Sequence, residues 1–302
     1  MALTRLSCAQ SDPANLAWKK LCPNTLQAII GFVALPETHE FATDTLALTE
    51  ATWDTGRKAV AASRFYFFPK AEDASPTPKE AEYKETKFEG SKFVNKNILA
   101  WEFTIDCHYT VAQKMLTHNG VLKRIALIDA AGTILLTSDD ETKLRGFTPQ
   151  MMDVQQLFSD GATGHRTKVK ISLADSDEWN ERGWAGTPTW SILTKEGLYD
   201  VVHTVTGILG TGITVSVITH NGSATDSRSQ WVGLVAADFI ILTSGGVPVA
   251  HTLSSDNGDG TYTLLATLAN GTYTVGLAAP SAISVAAYGI ESYATTSFTV
   301  SV

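Results

Sequence analysis

The chain has 302 residues, 44% of them hydrophobic and 18% charged, which is the composition of a folded protein long enough for two cores. A net charge of −8 excludes the Lys/Arg-driven affinity that binding nucleic-acid phosphates requires, and leaves only passive contact with DNA. No apolar run approaches the ~18 residues of a membrane span, since the best candidate, Leu26 to Leu35, stops at Pro36.

Cys8, Cys22 and Cys107 are odd in number and fit neither a compact zinc site nor a disulfide framework, so reduced thiols are expected. The opening MALTRLSCAQSDPANLAW lacks the apolar core and cleavage site of a secretory signal. Charge divides the chain near Gly186. The first 186 residues hold 21 Lys/Arg and 24 Asp/Glu, a net −3, and the remainder holds 2 and 7, a net −5. Two domains are expected, residues 1–186 and 187–302.

In chain order, LQAIIGFVAL reads as a buried strand. Residues Thr43 to Ser63 have the length and Ala content of a helix weakened at Gly56. RFYFFPK is a β-prone run ended by Pro69, and AEDASPTPKEAEY, with Pro76 and Pro78, reads as an extended exposed loop. KFEGSKFVNKNILAWEFTID predicts two strands, the second alternating Leu99, Trp101, Phe103 and Ile105 against Ala100, Glu102 and Thr104. Thr110 and Gln113 have capping-box spacing ahead of a short helix carrying Ala112, Met115 and Leu116, and Asn119-Gly120 closes it. KRIALIDAAGTILLTSD predicts a hairpin turning at Ala131-Gly132. HRTKVKISLAD predicts a half-exposed strand with Val169, Ile171 and Leu173 inward. Together these elements predict an α+β domain built on an antiparallel sandwich.

After EWNERGWAGTPTW, turn signals recur at Gly210 to Gly212, Asn221-Gly222, Gly245-Gly246, Asn257 to Gly260 and Asn270-Gly271. Short Thr/Val-rich runs between them predict a β-sandwich of about seven strands. TYTLLATLANGTYTVGLA reads as a hairpin with Tyr262, Leu264, Ala266, Leu268, Tyr273, Val275 and Leu277 on one inner face.

Chemistry-bearing patterns are few. DNGDG at Asp256 to Gly260 has calcium-like alternation but lacks the further oxygens and the bidentate Glu, so a tight turn is the simpler reading. Asn221-Gly222-Ser223 and Asn270-Gly271-Thr272 match glycosylation acceptors and also sit at predicted turns. Asp106, Cys107 and His108 are adjacent on a predicted strand, where neighbours face opposite ways. Arg166, Lys168 and Lys170 form a small basic strand face. With no P-loop or GxGxxG string and no convergent acid, base and nucleophile, the expected catalytic, cofactor-binding and metal residues are none, and no enzyme activity is expected.

The layout of the first domain (an early helix, RFYFFP, the Pro-containing acidic stretch, WEFTI, a short helix ending His-Asn-Gly, then a strand pair) resembles the structural proteins of tailed phages, and a β-rich domain with one short helix, a long extended hairpin or loop and an appended immunoglobulin-like module resembles the tail tube proteins of long-tailed phages. Asp256 to Thr263 and Gly271 to Val275 are similar to the D-x-GDGTYT and GTYTV strings of bacterial and phage immunoglobulin-like modules. The resemblance implies a mainly β chain, an α+β sandwich or barrel-type tube domain plus a C-terminal immunoglobulin-like sandwich. It implies a non-enzymatic virion structural protein assembled in the bacterial host cytoplasm. Its partners would be other copies in stacked, commonly hexameric, rings and other tail proteins. DNA would pass through the lumen without specific binding, and the segment 71–82 would reach toward the next ring. The alternative is a capsid decoration protein or a host-surface binder whose sandwich loops contact glycans.

Overall fold

The computed structural model describes residues 4–5, 26–86, 90–95, 97–106, 109–119, 123–140, 142–158, 164–209, 211–220, 222, 224–280, 283, 290–292 and 295–301. Cys8, Cys22, Cys107, His108, Gly120, Gly210, Asn221 and Ser223 lie outside these residues. The protein is mainly β, in several antiparallel sheets, and divides into two compact units, Met1–Glu196 and Gly197–Val302. The compositional break at Gly186 thus precedes the structural one. Trp190 and Ile192 pack into the first unit's core, and Lys195 lies 3.2 Å from Asp54, so residues 187–196 belong to that unit. Residues 197–302 are left with Arg228 as their sole Lys or Arg.

The first unit runs β1 (Thr4–Arg5), β2 (Ile29–Leu35), α1 (Asp44–Leu48), α2 (Glu50–Arg57), β3 (Tyr66–Phe68), β4 (Asp73–Pro76), β5 (Glu82–Thr86), β6 (Gly90–Asn95), β7 (Ala100–Asp106), α3 (Tyr109–Leu116), β8 (Arg124–Asp129), β9 (Ile134–Thr137), β10 (Pro149–Leu157), β11 (Arg166–Leu173), α4 (Asp177–Asn180) and β12 (Gly183–Gly186). One sheet has the order β1-β12-β9-β8-β2-β3 and a second the order β10-β11-β7-β4. Phe32, Ala34, Ile125, Leu127 and Leu135 face the second sheet's Trp101, Phe103, Val169 and Ile171. Their chain neighbours Val33, Leu35, Ala126, Ile128 and Leu136 face the other way, onto a cluster with Phe41, Trp53 and Phe65. The first sheet is therefore buried on both faces, which is why β2, β8 and β9 read as continuous apolar runs. The second sheet is wet on its outer face, and β7 and β11 alternate as expected.

The helix expected over Thr43 to Ser63 is broken into α1, α2 and a 3₁₀ turn at Ala61–Ser63. Thr49 is extended (φ −88°, ψ 122°), which turns Trp53 inward to donate its Nε1–H to the Ala47 carbonyl at 2.8 Å. Gly56 lies within α2, where a Cβ would stand 2.3 Å from the Phe65 ring, so the close packing of that ring requires glycine. Helix α3 begins at Tyr109, which puts Thr110 inside the first turn and not at the expected cap. Asn119 reaches across to the edge strand β10, where its Oδ1 accepts from Val154 N–H (2.6 Å) and its Nδ2 donates to the Val154 carbonyl (3.1 Å).

The second unit has eight strands among its described residues. These are β13 (Tyr199–Leu209), β14 (Gly212–Thr219), β15 (Phe239–Thr243), β16 (His251–Asp256), β17 (Thr261–Ala266), β18 (Gly271–Leu277), β19 (Ile290–Ser292) and β20 (Thr296–Val300). They form two sheets, β16-β17-β14-β13-β19 and β15-β18-β20, around one core. The expected hairpin of TYTLLATLANGTYTVGLA is overturned, because β17 and β18 belong to opposite sheets. Residues 267–270 carry the chain between sheets, so both strands still turn Tyr262, Leu264, Ala266, Tyr273 and Val275 into the core. A strand pattern specifies which side chains are inward, and two facing sheets satisfy it as well as one hairpin does.

Candidate assembly surface

The Pro-containing stretch read as a loop is one arm of a long β-hairpin. Its base is the pairing of β4 with β7, from Asp73 opposite Thr104 to Pro76 opposite Trp101. The ladder continues through Thr77 N–H to Ala100 O (2.8 Å) and the reciprocal pair of Lys79 and Ile98 (2.8 and 2.9 Å). It ends in β5 and β6, from Glu82 opposite Asn95 to Thr86 opposite Gly90. Because Thr77 and Lys79 donate toward β7, alternation turns the nitrogens of Pro76 and Pro78 to the open side. Both prolines sit on an edge where the missing N–H removes no ladder bond.

The β7 arm is supported by β11 only as far as the bond from Leu173 N–H to Leu99 O (2.9 Å). Beyond that point β5 and β6 pair with each other, and with no third strand among the described residues. Residues 79–86 carry the hairpin roughly 25 Å past the sheet at ~3.3 Å per residue. An isolated two-stranded ribbon is marginal in water and leaves edges open to pairing with another strand. On the same sheet, the edge strand β10 exposes Met151, and Phe158 just beyond it is 74% exposed.

Two of the three residues of the basic strand face are ion-paired. Arg166 pairs with Glu72 at 2.9 Å and Lys168 with Glu102 at 2.8 Å. In DNGDG, Asp259 Oδ1 accepts from Thr261 N–H (2.9 Å) and Asp256 Oδ1 from Gly258 N–H (3.0 Å), with Gly258 and Gly260 at φ +76° and +78°. The Thr261 hydroxyl, which donates to the same Oδ1, and then the Thr261 N–H hold the Asp259 carboxyl below the usual carboxylate range. The carboxylates are spent on the turn that joins β16 to β17. Asn270 stands at the start of β18. Asp106 ends β7, and its two neighbours in the reactive triplet lie outside the described residues.

The densest charge network was not legible in the sequence. Arg145 donates Nε and Nη2 to Asp139 (2.6 and 2.7 Å) and Nη2 to Glu178 Oε1 (3.0 Å). Glu178 also accepts from Thr148 N–H (2.6 Å) and Oγ1–H (2.7 Å). Arg182 bridges Asp139 (2.9 Å) and Asp175 (2.6 Å). Asp139 is held below its ordinary value by the Arg145 hydrogen bond, against opposing desolvation. Desolvation acts to lower Arg145, and its bonds to Asp139 and Glu178 override it and raise the guanidinium. The network is closed on itself and pins the segment 138–148 to α4, a structural role. Among the described residues no three His, Cys, Asp or Glu side chains come together as a metal set, and no helix is long and apolar enough to cross a membrane. Comparison with protein-family models and with curated proteins returned no match to this chain.

Proposed function

We propose that the chain is a non-enzymatic virion structural protein that polymerises as stacked rings into a tail tube conducting DNA, with residues 197–302 as an exterior immunoglobulin-like module. The observation that supports this reading is the hairpin of residues 73–106, whose outer half pairs with no third strand among the described residues. Strand addition between copies would satisfy its open edges, and a head-to-tail contact that does not close generates a filament. The net charge of −8 fits a conduit through which a polyanion slides without being held.

Electron microscopy of the purified chain tests the proposal. Filaments or rings of uniform diameter are expected, and replacing residues 82–95 by a two-residue Asn-Gly turn abolishes them while the subunit stays folded. Deleting residues 197–302 leaves assembly intact. A wild-type chain that stays monomeric when concentrated at low salt sinks the proposal.

A further inference from the structure

At the C-terminal end of α3, beside β3 and the start of β8, a buried cation has no counter-ion among the described residues. Lys123 is 9% exposed, and among the described residues its charged group meets only the face of Tyr66, with Nζ 4.9 Å from the ring centroid. The same ring meets His118 at 4.6 Å, and its hydroxyl donates to the Ala61 carbonyl at 3.2 Å. Burial pushes the Lys123 amine down, and burial followed by the charge of Lys123 pushes His118 down. No carboxylate contributes to either group. The adjacent Arg124 is engaged elsewhere, on the Glu37 carbonyl and the Thr148 hydroxyl.

A buried ammonium that meets only a π face among the described residues is unfavourable in the isolated subunit. A methionine would pack its stem against Tyr66 without that cost. The arrangement therefore makes sense when an anion completes it. We propose that Lys123, flanked by Tyr66 and His118, is a carboxylate-binding site whose occupant is an acidic side chain of a second copy of this chain. One ammonium and one imidazole suit a carboxylate better than a phosphate, whose three oxygens call for a larger donor set. The chain itself supplies carboxylates in excess, with 31 Asp/Glu against 23 Lys/Arg. The site stands independently of the tube reading, and only the second-copy source rests on it.

The test uses the full chain and the variants Lys123→Met and Lys123→Arg. Thermal unfolding of the unassembled protein and the critical concentration for assembly, by sedimentation, are measured for each. Lys123→Met is expected to unfold no lower than wild type yet raise the critical concentration at least about tenfold, because it removes one partner of an interfacial charge pair. Lys123→Arg, which keeps the charge, stays within about threefold on the same grounds. Separately, the His118 ring is titrated by NMR in the unassembled chain, in acetate against chloride at equal ionic strength. A rise of its midpoint in acetate that disappears in Lys123→Met identifies a free carboxylate as ligand. The assembly effect alone identifies the second copy. A lower unfolding temperature for Lys123→Met makes the residue structural and overturns the proposal, as does the absence of both effects. If the chain never assembles, the tube reading fails and the acetate titration still decides the site.

Discussion

Replacing Glu178 by Ala should cost the first unit more than any change at the ionic surface around it. In the Arg145–Glu178 pair the side chains are 10% and 5% exposed, and the carboxylate accepts three hydrogen bonds, from Arg145, Thr148 N–H and Thr148 Oγ1–H. Truncation leaves a buried guanidinium arm and a half-buried amide without that acceptor. Breaking one side of such a pair costs about 3–5 kcal/mol. For a unit of this size each kcal/mol shifts the midpoint by about 2–4 °C, so a fall of roughly 10 °C is expected.

Differential scanning calorimetry of the full chain measures this, with hydrogen exchange on β10 and α4 assigning the transition to the first unit. Asp139→Asn is the control. That carboxylate also binds Arg145 but is 53% exposed, and solvent screening limits its loss to less than about 1 kcal/mol. If Glu178→Ala and Asp139→Asn prove equally mild, the network is not a buried clamp and the account of how residues 138–148 are held is wrong.

Two further outcomes concern the second unit. His203 is 2% exposed and contacts the Val275 carbonyl at 2.8 Å through Nε2, and burial lowers its pKa despite that bond. Its folded value lies below the ordinary 6.5, so the unfolded chain takes up a proton first as pH falls. The stability it contributes is complete above about 6.5 and is lost downward from there toward the folded value. Protection factors of β13 and β18, corrected for the intrinsic exchange rate, should therefore fall as pH drops below about 6.5 in the wild type and fall less in His203→Leu, and parallel profiles would refute the assignment. Tyr262→Phe removes a hydroxyl that donates to the Trp231 carbonyl at 2.7 Å and accepts from Leu234 N–H at 3.3 Å. Burial is the main reason that hydroxyl is pushed up to about 12. The variant should lose about 1–2 kcal/mol in urea unfolding, and an unchanged midpoint would show the hydroxyl to be idle.

What the sequence reveals here follows the range of each interaction. Alternation at Trp101 and Phe103, and at Val169 and Ile171, is local, and both strands fold with those residues inward. The apolar runs of β2, β8 and β9 are equally local, since each residue must be apolar when both faces of a sheet are covered. Pairing is not local: β17 and β18 show the right inward residues, yet nothing in TYTLLATLANGTYTVGLA fixes whether the second strand pairs beside the first or faces it. Arg145 and Glu178 are 33 residues apart and meet only because the antiparallel run of β10 and β11 returns the chain to its starting end. The hairpin was hidden by its own chemistry, since proline is the usual mark of a loop. Two prolines spaced by two, with donor positions Thr77 and Lys79 at alternate places, are also what an edge arm tolerates. That spacing bears on assembly as well. On the Pro76 and Pro78 side the outer edge of the arm lacks N–H donors at both positions, so an incoming strand finds acceptors there but fewer donors. In the proposed assembly, strand addition along the hairpin would thereby be directed to β5 and β6 beyond the prolines, which pair with no third strand among the described residues.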